Sequence, residues 1–150
     1  MSKLTRVSLT GEGTYHTIIR NECHVFHADE PIDSGGTDRA STPIELLLGA
    51  LGACTVITIK MYMDRKKWVA EDVQVDVTMK VDRIENAAIL QAEERKRVEN
   101  GRLRRINKLI RVRGNFTPEQ LEKIKEIGGK CPVNKMLASS SYITDDIELM

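Results

Sequence analysis

Between Glu45 and Lys60 the chain carries no charge for fourteen residues, and this stretch limits what everything around it can fold into. From Pro43 to Lys67 the sequence reads PIELLLGALGACTVITIKMYMDRKK. The uncharged run falls short of the roughly twenty apolar residues that span a bilayer, but it suits a helix buried on all sides. A central core helix is expected, and no membrane association. Its start has a capping signature: Thr42 as N-cap, Pro43 at the first helical position, and Glu45 where a carboxylate reaches back to the cap amide. Cys54 lies in the middle of this helix.

A helix of this kind needs a wall to pack on, and the flanking sequence supplies strands. Asp72 to Val81 alternates strictly, which puts Val73, Val75, Val77, Met79 and Val81 on one face of a strand that the helix can cover. Leu4, Val7 and Leu9 mark an earlier strand. Gly11 and Gly13 make a turn, and Tyr15 to His27 reads as the second arm of a hairpin. Asp29 to Ser41 is a loop by composition, broken by Pro31 and the Gly35-Gly36 pair. Glu85 to Arg102 mixes charges of both signs, as a solvated hairpin tip or short exposed helix does. Leu103 to Val112 fits either period, and its place before Gly114 favours a strand. Thr117-Pro118-Glu119-Gln120 repeats the capping pattern, with Leu121, Ile124 and Ile127 as the apolar stripe of a second helix that ends at Gly128-Gly129. A short helix from Cys131-Pro132 and a last strand from Tyr142 to Leu149 complete the chain. Such an order predicts a two-layer α+β fold with antiparallel sheet, and 150 residues need only one domain.

Twenty-three Lys and Arg against twenty-two Asp and Glu leave a formal charge of +1, so no field over the whole chain favours nucleic acid or an anionic membrane. The alternating N-terminal residues lack an apolar segment of signal-peptide type, and a cytoplasmic location is expected. Three cysteines, at 23, 54 and 131, form no CxxC pair and no secreted disulfide framework. Redox chemistry would need thiols that meet only in the fold.

Two of those cysteines differ in setting. A proline at the first helical position makes Cys131 the N-cap of the last helix, where free amides and the dipole stabilise a thiolate, with Lys130 and Lys135 as cations that could face it. Cys54, inside an apolar helix, reads alone as a small hydrophobe. Cys23 reads as strand packing. His16 and His24 are expected on one strand face and His27 on the other, without zinc-ligand spacing, so no metal is expected.

PIELLLGALGACT, followed some 77 residues later by KCPVNKML and preceded by a GGTD loop, resembles the OsmC/Ohr superfamily of thiol-dependent proteins. The resemblance covers nearly the whole chain. It implies an intertwined homodimer around paired central helices, a site at the subunit interface, and an organic hydroperoxide as substrate in oxidative stress defence. It makes Cys54 the peroxidatic and Cys131 the resolving cysteine. A Cys54 sulfenic acid would condense with Cys131, and an external dithiol would reduce the disulfide, with no cofactor. Leu47, Ala50, Leu51, Ile57 and Met61 would form an apolar substrate pocket around Cys54.

The chain departs from the peroxidase pattern at two places. Ile44 stands where those branches carry a glutamate directly after the proline, and Glu45 follows one position later. At about 100° per residue Glu45 leaves the helix on the side away from Cys54, so capping explains it better. The first hairpin turn also lacks the family arginine, for which Arg20 and Arg39 are the nearest substitutes. Ile44 together with the CPV motif resembles the YhfA-type branch. A different class of function, a non-catalytic module holding a small apolar ligand at the dimer interface, uses the same cysteines as pocket wall.

Overall fold

The computed structural model describes residues 4–139 and 141–149. They form two compact units, the described residues up to Gly49 and those from Ala50 onward, with the boundary inside the long helix.

In the first unit, β1 (Arg6–Leu9), β2 (Thr17–Arg20) and β3 (Val25–Ala28) make an antiparallel sheet in that order. The single arm expected from Tyr15 to His27 is therefore two strands. Asn21 breaks it, because its side-chain oxygen accepts the amides of Cys23 and His24 and its own amide donates to the His24 carbonyl. Cys23 is consequently an exposed turn residue and not strand packing. The expected histidine grouping also fails, since His16 is buried and stacks on His27, with centroids 5.0 Å apart and rings 11° from parallel.

The loop after β3 is organised by the buried Asp29 carboxylate. It accepts the amides of Glu30, Thr37 and Arg39 and the Thr37 hydroxyl. The Thr37 hydroxyl first, then those amides, hold Asp29 at a pKa of about 2 against the pull of burial. Gly36 is required here: a Cβ would lie 1.9 Å from the Glu30 carbonyl oxygen.

α1 (Pro43–Lys66) starts as expected, with Glu45 accepting the Thr42 amide at 2.7 Å and its hydroxyl at 3.0 Å, while the Glu45 amide donates back to that hydroxyl. The Thr42 amide, then the hydroxyl, lower the Glu45 pKa. Its 24 residues are long and apolar enough to cross a bilayer, yet one face is packed as a core face: Leu51, Gly52, Thr55, Ile59 and Met63 are buried. The expectation of burial on all sides is not met. Ile44, Leu47, Ile57 and Met61 are exposed, because each element can cover only one side of a helix and the described residues of this chain cover one.

In the second unit β4 (Asp72–Arg83) pairs antiparallel with β5 (Arg102–Arg113), Val75 opposite Ile110 and Val77 opposite Lys108. Gly52 lets α1 lie close on this sheet, since a Cβ there would touch Val77 at 3.3 Å. Asp76–Arg111 and Asp82–Arg105 form partly exposed ion pairs on this sheet. The charged stretch between the strands holds α2 (Ala92–Arg95), a short exposed helix in line with the sequence. α3 (Pro118–Gly128) begins with the Thr117–Gln120 capping box and buries Ile124 against Ile59 and Met63; Trp68, Val73, Ile110, Val112 and Phe116 close this core. α4 (Pro132–Ala138) follows with Cys131 as its N-cap. The expected final strand is absent among the described residues. Tyr142, Ile143, Ile147 and Leu149 are exposed, and a strand exists only through a ladder that nothing here supplies.

Candidate functional site

The second unit brings one thiol to a convergence of three elements. Cys131 is fully buried at the start of α4, and its Sγ accepts the Asn134 amide at 3.3 Å. Proline at the next position fixes this geometry, because its ring sets the helical φ and the amide it lacks would have had no partner. From α1, the buried Thr55 brings its hydroxyl to 3.6 Å from the same sulfur and 2.8 Å from the Leu51 carbonyl. From β5, Lys108 donates to the Thr55 hydroxyl at 3.3 Å and to the Gly128 carbonyl at 2.7 Å. That carbonyl ends α3, where free acceptors and the negative end of the helix dipole favour a cation.

Burial pushes the Cys131 thiol up, and four groups together outweigh it: the Thr55 hydroxyl, the Asn134 amide, the Cys54 side chain and the Lys108 ammonium. The thiol is held below its ordinary value. Cys54 is half-buried and, like Cys131 and Cys23, a free thiol.

Sequence reasoning expected other cations here. Lys130 is engaged with Glu126, whose carboxyl Lys123 and then Lys130 hold at about 2. Arg39 donates to the Glu12 carbonyl at 3.2 Å with the Glu12 carboxylate 3.7 Å away, and Arg20 is an exposed residue of β2. Glu45 is occupied by Thr42. Lys108 and Thr55 were not anticipated. The signal for Lys108 was present, since it interrupts the inward-facing series Ile106, Ile110 and Val112 where an apolar residue belongs.

The five pocket residues lie around Cys54 on α1 and differ in burial. Leu47, Ala50, Ile57 and Met61 are exposed, whereas Leu51 is buried and lines an open groove of about 350 Å³ with Arg97, Arg104, Ile106, Lys108 and Asn134. Among the described residues no three His, Cys, Asp or Glu side chains gather as a metal site would require.

An α+β chain with two antiparallel sheets, a long cysteine-bearing helix and a second cysteine capping a short helix defines a recognisable class. Residues 36–144 match the family model described as OsmC-like protein, and the chain belongs to that family within the OsmC/Ohr superfamily. An OsmC-like protein from Mycoplasma pneumoniae has a similar structure at 16% identity, TM-score 0.67, over 91% of this chain and 87% of that one. An organic hydroperoxide resistance protein from Legionella pneumophila gives 15% identity and TM-score 0.63 over 91% and 89%. An OsmC-like protein of unknown function from Vibrio cholerae gives 11% identity and TM-score 0.64 over 90% and 92%. These likenesses are of fold. No curated protein matches the sequence closely enough to count as a relative.

Proposed function

We propose that this chain is a thiol-dependent redox protein that reduces organic hydroperoxides, with Cys54 as the attacking sulfur and Cys131 as its resolving partner. The observation that carries this reading is the setting of the buried Cys131, whose sulfur accepts the Asn134 amide and lies beside the Thr55 hydroxyl that Lys108 also reaches. The name of the Legionella protein, an organic hydroperoxide resistance protein, supports the substrate class.

The Cys54 thiolate attacks the distal peroxide oxygen, an S–O bond forms, the O–O bond breaks, and the alkoxide leaves and is protonated to an alcohol. The sulfenic acid then meets the Cys131 thiolate, an S–S bond forms, and hydroxide leaves as water after taking a proton. An external dithiol returns two electrons by exchange. The peroxide must reach Cys54 first, because Cys54 is half-buried and Cys131 has no exposed surface.

A homodimer is part of the proposal. Ile57 and Met61, 58% and 62% exposed, continue an apolar strip beside Cys54, and a second copy of α1 would cover it and enclose the thiol. Ile44 after the helix proline, together with the CPV motif, supports the YhfA-type branch over the hydroperoxide resistance branch, although Asn134 stands where that branch often carries a histidine. Three free thiols support a reducing, cytoplasmic setting.

Purified protein with cumene hydroperoxide and a dithiol tests the reading. Consumption of dithiol that depends on both peroxide and Cys54 supports it. A second reading, a binding module for a small apolar ligand, draws on the groove beside Leu51 and Ile106. Peroxide that leaves both thiols intact sinks the first reading and favours the second.

A further inference from the structure

We propose that Lys108 is a positioning residue for the resolving thiol, acting through the Thr55 hydroxyl to hold Cys131 as the thiolate. This deepens the redox reading given above.

The inference follows from counting protons on one hydroxyl. Threonine Oγ1 has one proton to give and two lone pairs to accept with. Three groups stand within reach of it in Thr55: the Leu51 carbonyl at 2.8 Å, the Cys131 sulfur at 3.6 Å and the Lys108 ammonium at 3.3 Å. When Cys131 is a thiol, its S–H can donate to Oγ1 while the hydroxyl proton stays on the Leu51 carbonyl. When Cys131 is a thiolate, the hydroxyl must turn to the sulfur. Leu51 loses little by this, because the helix amide four residues on still serves its carbonyl.

Lys108 biases the choice towards the thiolate. An ammonium has donors only, so the contact from Lys108 to Oγ1 fills a lone pair and leaves the hydroxyl proton free for the sulfur. Its charge acts in the same direction across the buried gap. The amine is fixed for the task by its bond to the Gly128 carbonyl. The other groups acting on Cys131 agree in sign: the Asn134 amide from α4 donates to the sulfur, and the Cys54 side chain on α1 also favours the thiolate. Lys130, the residue before Cys131, is held by Glu126.

The consequence is a direction for the redox cycle. A preformed Cys131 thiolate attacks the Cys54 sulfenic acid without waiting to lose a proton. In the reverse half, an entering dithiol attacks the Cys54 sulfur, the S–S bond breaks, and Cys131 takes the electron pair as the better leaving group.

The test uses reduced full-length protein carrying Cys23→Ser and Cys54→Ser, so that Cys131 is the one thiol left. Its thiolate is followed by ultraviolet absorbance as pH is raised. Lys108→Met is expected to lower the thiolate-to-thiol ratio at neutral pH roughly tenfold, and Lys108→Arg to recover most of it. Thr55→Val should lower the ratio in the same way, and Thr55→Ser should not. If Lys108→Met and Thr55→Val both titrate like their parent, the proposal is overturned. The titration involves no peroxide, so an intact Lys108 effect in a protein that never reacts with hydroperoxide would refute the redox reading alone.

Discussion

Thr55 and Cys131 are separated by 76 positions in the chain, yet the threonine hydroxyl stands 3.6 Å from the cysteine sulfur. Two local rules produce the meeting. The buried face of α1 delivers Thr55, and the proline after Cys131 turns the thiol into a helix cap.

The first prediction concerns the rate of disulfide closure. Because the hydroxyl and its neighbours hold the Cys131 thiol below its ordinary value, closure after oxidation should persist to lower pH than an ordinary thiol allows. Thr55→Val should move the falling edge of the rate to higher pH and slow closure at neutral pH by roughly tenfold. Stopped-flow measurement of thiol loss over a pH series checks it. An unchanged profile would remove Thr55 from the site.

Asp29 gives a stability prediction whose sign is fixed. Its carboxyl falls from an ordinary 3.8 to about 2 in the fold, chiefly through the Thr37 hydroxyl. A depressed carboxyl stabilises the fold above its unfolded value, and that contribution is lost as pH falls from about 4 through about 2. Asp29→Asn should therefore melt lower at neutral pH and show a flatter acid limb. Equal acid slopes for the two proteins would contradict the buried cap.

Packing at the end of α3 is equally specific. A Cβ on Gly128 would lie 2.7 Å from the Ile110 Cδ1 and 3.3 Å from Thr55 Cγ2. Gly128→Ala should cost about 1–3 kcal/mol by overpacking. Ile59→Ala should cost about 2–5 kcal/mol by leaving a cavity. Denaturant unfolding measures both. A neutral Gly128→Ala would mean that Ile110 gives way freely.

The apolar outer strip of α1 bears on assembly. Ile57→Glu with Met61→Glu should shift the protein to monomer in sedimentation and slow its reaction with hydroperoxide. Both residues are exposed in the single chain, so the pair should leave the melting of the isolated fold little changed. A wild type that sediments as monomer would contradict the homodimer.

Capping chemistry was the most legible part of the sequence. Thr42 with Glu45, Thr117 with Gln120 and Cys131 with Pro132 each announced a helix start that the fold contains. These signals are read within four residues and need no partner. The break at Asn21 was missed because a side-chain turn outweighed an apolar run on both sides of it. The expected last strand failed because alternation alone makes no ladder. Lys108 was passed over because, along the chain, it is one cation among many in RLRRINKLIRVR. Only the register opposite Val77 turns it inward.

The central claim is that Cys54 and Cys131 work as a pair. Intact-mass and free-thiol analysis after one equivalent of cumene hydroperoxide tests it most directly, on wild type, Cys54→Ser and Cys131→Ser. Wild type should lose two thiols and recover them with a dithiol, Cys131→Ser should hold one added oxygen on Cys54, and Cys54→Ser should stay unreacted. Survival of both thiols in wild type, or oxidation of Cys54→Ser at the wild-type rate, would contradict the account.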